Sequence, residues 1–62
     1  MENNMKQAMI RYIEENFGMS YRDWNLLDIS EQEKLLKVRY DNRDFIDGIP
    51  VSNILDELKL KL

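Results

Sequence analysis

The chain has 62 residues, no cysteine, no histidine and a formal net charge of -3, which excludes disulfides and the usual zinc ligand sets and argues against a basic nucleic-acid-binding domain. A chain this short buries only about 60% of its unfolded surface, so close helix packing or self-association must supply the stability that cross-links and metals do not. With 44% hydrophobic and 34% charged residues, two glycines and one proline, the composition is that of a folded chain and not of a disordered one.

The first predicted element runs from Asn3 to Phe17. Met5, Ala8, Met9, Tyr12, Ile13 and Phe17 fall on one face of a helix, with Lys6, Gln7, Arg11, Glu14 and Glu15 around the rest. Asn3 or Asn4 can cap its start, and Gly18 offers a left-handed stop with Met19 folding back. Ser20 followed by Asp23 opens a short second helix in which Tyr21, Trp24 and Leu27 step by three. Ser30 and Glu33 have capping-box spacing, which starts a third helix at Glu31. That helix carries Leu35, Leu36, Val38 and Tyr40, with acids early and Lys34, Lys37 and Arg39 late, as the helix dipole favours.

Its end is ambiguous. Asp41-Asn42-Arg43-Asp44 suits a turn, yet Phe45 and Ile46 follow Val38 at the spacing of a continuing helical face. Asp47-Gly48 ends the helix either way, and Ile49-Pro50-Val51 is predicted extended, because proline disfavours helical backbone in the residue before it. A last helix is predicted from Ser52 or Asn53 with Val51, Ile54, Leu55, Leu58 and Leu62 as one stripe; the alternation of Leu58-Lys59-Leu60-Lys61-Leu62 leaves a terminal strand as the alternative. The expected fold is all-α: one domain over residues 1–62, a small three- or four-helix bundle. Its expected core is Met9, Ile13, Phe17, Trp24, Leu27, Leu35, Tyr40, Ile54, Leu55 and Leu58.

Chemistry is sparse. The three serines, Ser20, Ser30 and Ser52, are explained as caps, and the isolated Gly18 and Gly48 form no phosphate-cradling loop. The acid pairs Glu14–Glu15 and Asp56–Glu57 read as solvated faces, because neighbours on a helix diverge by about 100°. No catalytic residue, metal ligand or cofactor is expected, and the chain is not read as an enzyme. Trp24 and Tyr40 are read as core; left exposed, such aromatics would mark a partner site.

The leading functional expectation is a helical module that binds and modulates another protein, with homo-oligomerisation as a further route. Met5, Ile10, Met19, Tyr21, Leu26, Ile29, Leu60 and Leu62 exceed what so small a core absorbs, and surplus apolar surface usually contacts something. The partner-binding candidates are Ile10, Tyr21, Leu26, Ile29, Leu60 and Leu62. Two alternatives stand beside it. A helix-turn-helix-like DNA-binding regulator would use the third and fourth helices, with Lys34, Lys37, Arg39 and Arg43 on phosphates. An acidic decoy of a DNA-binding protein would gather Glu14, Glu15, Asp23, Asp28, Glu31 and Glu33 on one face. With a polar N-terminus and no apolar run near the roughly 20 residues that span a bilayer, no membrane partner is expected and the expected location is cytoplasmic.

Overall fold

A computed structural model describes residues 2–38 and 43–62, as four helices and one hairpin: α1 (Glu2–Phe17), α2 (Tyr21–Leu26), α3 (Ile29–Lys37), β1 (Phe45–Ile46), β2 (Ile49–Pro50) and α4 (Val51–Leu60). The all-α expectation is therefore corrected: the protein is mostly helical, but Phe45 and Ile46 pair antiparallel with Pro50 and Ile49 in a two-stranded sheet. Its radius of gyration, 10.7 Å, is that of a compact chain of this length, for which size scaling gives about 10.6 Å.

The hairpin displaces the continued helix for a local reason. Asp47 (φ 52°) and Gly48 (φ 80°) both adopt left-handed backbone, as the central pair of a type I′ turn must, and this turn matches the twist of paired strands. Pro50 sits opposite Phe45, while the next rung runs from the Val51 N–H to the Asp44 carbonyl at 2.9 Å. Proline thus takes a non-bonded position of the ladder, where its missing N–H costs nothing. The alternation turns Ile46 into the core, 1% exposed, and leaves Phe45 facing out. The guanidinium of Arg11 on α1 reaches the Asp47 carboxylate at 3.4 Å and ties the turn to that helix.

Helix boundaries move by a few residues from those predicted. α1 begins at Glu2, so Asn3 and Asn4 fall within it and not at the position before it, whereas Gly18 at φ 66° supplies the expected left-handed stop. Ser20 caps α2 as expected, its hydroxyl accepting the Asp23 N–H at 3.1 Å. α3 starts two residues earlier than Ser30 and Glu33 implied. Asp28 is the cap: its carboxylate accepts the Glu31 N–H and the Ser30 hydroxyl, both at 3.0 Å. An ionised acid at this position adds attraction to the helix dipole, which a serine cannot. α4 starts at Val51 behind Pro50 with no side-chain cap, so Ser52 is not one, and the terminal segment is helical rather than a strand.

The core gathers where α1 meets the other elements. α1 packs on α2, α4 and both strands, and α3 packs on α4. Ala8, Met9, Tyr12, Ile13, Trp24, Leu36, Ile46, Val51, Ile54 and Leu58 are buried in one cluster. Of the predicted core, Met9, Ile13, Trp24, Ile54 and Leu58 are buried; Phe17, Leu27, Leu35 and Leu55 pack partly buried around them, and Tyr40 lies outside the described residues. An aromatic ladder joins α1 to α2: Tyr12 meets Phe17 edge-on at 6.0 Å, and Phe17 stacks on Trp24 at 5.5 Å. The buried amide of Gln32 on α3 donates to the Trp24 carbonyl at 2.7 Å, which satisfies a polar group that burial would otherwise penalise.

Candidate functional site

Three helices converge on an open groove of about 780 Å³, each contributing a pair of residues one turn apart: Met5 and Met9 from α1, Tyr21 and Asn25 from α2, Glu57 and Lys61 from α4, with Lys6 beside them. The i, i+4 spacing puts both members of each pair on one face of their helix. Met9 is buried at the floor, Met5, Tyr21 and Glu57 are half-buried, and Lys6, Asn25 and Lys61 are exposed at the rim. Partial burial pushes the Tyr21 phenol above its ordinary pKa.

The rim is locally basic within an acidic chain. Among the described residues the ion pairs are Arg11 with Asp47, Lys34 with Glu31 and Arg43 with Glu15, and neither Lys6 nor Lys61 takes part in one. A second, smaller hollow of about 530 Å³ lies between α3 and α4, lined by Glu33, Leu36, Lys37, Lys59 and Leu62.

The six predicted partner-binding residues do not share one surface. Tyr21 forms a wall of the main groove, whereas Leu62 packs against the core and borders the second hollow. Leu26 and Leu60 are 76% and 79% exposed, each two residues from a buried side chain, Trp24 and Leu58. Two steps along a helix turn a side chain by about 160°, so both leucines point away from the core. Ile29 is exposed on the first turn of α3, and Ile10 is half-buried on α1. The residues that sequence reasoning left out of the site are Lys6, Asn25, Glu57 and Lys61; their spacing offered a signal only within each helix, because the three helices meet through tertiary packing alone.

Several charged residues elsewhere serve structure. Asp28, Glu15 and Glu31, half of the supposed acidic face, are engaged in a cap and two ion pairs, and the remaining three lie on three different helices. The supposed DNA-reading pair, α3 and α4, is separated by the hairpin and not by a short turn. Of the supposed phosphate contacts, Lys34 and Arg43 are ion-paired within the chain, Lys37 borders the second hollow, and Arg39 lies outside the described residues. Among the described residues no group of three or more Asp and Glu gathers as a metal would require, and no helix is long and apolar enough to cross a membrane. No family model, no curated protein and no solved structure matches the chain.

Proposed function

We propose that this protein is an interaction module that binds another protein and alters its activity, and that the α1/α2/α4 groove is its binding surface. The observation that supports the reading is the composition of the groove: Met9 at its floor, Met5 and Tyr21 half-buried beside it, and polar side chains at the rim, the apolar-centre, polar-rim order of protein interfaces. Methionine suits such a surface, since its unbranched, polarisable side chain repacks against different shapes. Tyrosine adds rigid amphipathic area of the kind that concentrates binding energy.

The test is affinity capture with three versions of the protein. Wild type and Ile29→Ser, altered at an exposed position of α3, which does not line the groove, retain the same partner; Met5→Asp, verified as helical by circular dichroism, loses it. Capture unaffected by Met5→Asp would remove the groove from the interface.

A further inference from the structure

We infer that the occupant of the α1/α2/α4 groove is an acidic amphipathic helix of a partner protein, its apolar stripe against Met5, Met9 and Tyr21 and its carboxylates at Lys6 and Lys61. This deepens the reading given above and depends on it.

Two observations select that occupant. The walls of the groove are helices and not strands, so they offer no ladder edge to an extended peptide. An occupant must then satisfy its own backbone, as a helix does, and meet the groove through side chains alone. The second observation is charge: two lysines against one glutamate line the groove, on a chain of net charge -3 whose Arg11, Lys34 and Arg43 are ion-paired internally. Carboxylates flanking an apolar stripe complement that rim, whereas a basic helix meets Lys6 and Lys61 with like charge. Pairing with a second copy is disfavoured on the same ground. Two-fold closure through the groove opposes one basic rim to another, and each copy brings the same net negative charge elsewhere.

A displayed library of 16-residue helical peptides tests this, with leucine fixed at an i, i+3, i+4, i+7 stripe and the polar positions randomised among Glu, Lys, Gln and Ser. Selection on the wild-type protein is expected to enrich glutamate beside the stripe. Two exposed ion pairs are lost and reversed, so the selected peptides should bind roughly tenfold more weakly to the Lys6→Glu, Lys61→Glu double variant at low salt. Enrichment of neutral or basic peptides, or binding indifferent to the double variant, overturns the acidic-helix inference. If such peptides are still lost on Met5→Asp, the groove survives as a binding surface; if they are indifferent to that variant too, both readings fall. Failure to enrich any peptide above the bare support also counts against the acidic helix, while capture of a partner remains a separate readout of the groove.

Discussion

α4 and α2 are held in place by different physics. α4 has ten residues, no side-chain cap and a proline before it, yet three of its side chains, Val51, Ile54 and Leu58, are at most 1% exposed. α2 has six residues and buries only Trp24, but each of its ends is closed by hydrogen bonds: the Ser20 hydroxyl at the start, the Leu27 N–H and the Gln32 amide on the Trp24 carbonyl at the end. A helix of six residues cannot sustain itself in water, because nucleation outweighs so few propagating bonds. The contrast teaches that burial along an apolar stripe dispenses with caps, whereas a helix of less than two turns depends on them.

Substitutions can break that contrast at either side. Ile54→Ala should be the most damaging: emptying a fully buried site costs about 2 to 5 kcal/mol, a large share of the roughly 3 to 9 kcal/mol that a chain of this size has to lose. Urea denaturation followed by circular dichroism should therefore find it largely unfolded or sharply shifted in midpoint. Ser20→Ala removes only a cap and should cost about 1 kcal/mol, while the corresponding Ser52→Ala in α4, where no cap bond exists, should leave the midpoint nearly unchanged.

Smaller still is the effect of acid at the α3 cap. The Glu31 N–H and, next, the Ser30 hydroxyl hold the Asp28 carboxyl below its usual range. Because the folded value is depressed, the stabilisation is fully present above the ordinary carboxylate pKa of about 4 and is lost as pH falls through the lower folded value. Asp28→Asn keeps a capping oxygen but cannot titrate, so the stability difference between wild type and this variant should shrink on going from neutral pH into that acidic window. Leu60→Ser on the outward face of α4 should change stability by no more than about 0.5 kcal/mol, which thermal denaturation can verify.

The long elements were legible because their period repeats. Six apolar positions of α1 recur over three turns and place Met9 and Ile13 inward without any knowledge of the fold. The hairpin was harder to read. Two-residue strands are too short to display alternation, and the spacing from Val38 to Phe45 and Ile46 imitates a helical face. Its one decisive signal was Asp47-Gly48 between apolar residues, the pairing that favours a type I′ turn. Asp28 was overlooked as a cap because Ser30 and Glu33 offered a second box two residues later, and both side chains cannot cap the same helix. The groove lay further from view. Tyr21 and Met5 stood out as surplus apolar residues, but Lys6, Asn25, Glu57 and Lys61 become neighbours only once α1, α2 and α4 are docked, an arrangement no local pattern encodes.

The stacking of Trp24 on Phe17 also makes the molecule its own optical reporter. There is one tryptophan in the chain, 3% exposed and clamped between α1 and α2, on the same short helix as Tyr21 and Asn25 of the groove. Excited selectively at the red edge of its absorption, that indole emits from an apolar surrounding when the two helices are docked and from water when they part. Any ligand that shifts α2 against α1 therefore changes the colour and intensity of a single, unlabelled fluorophore.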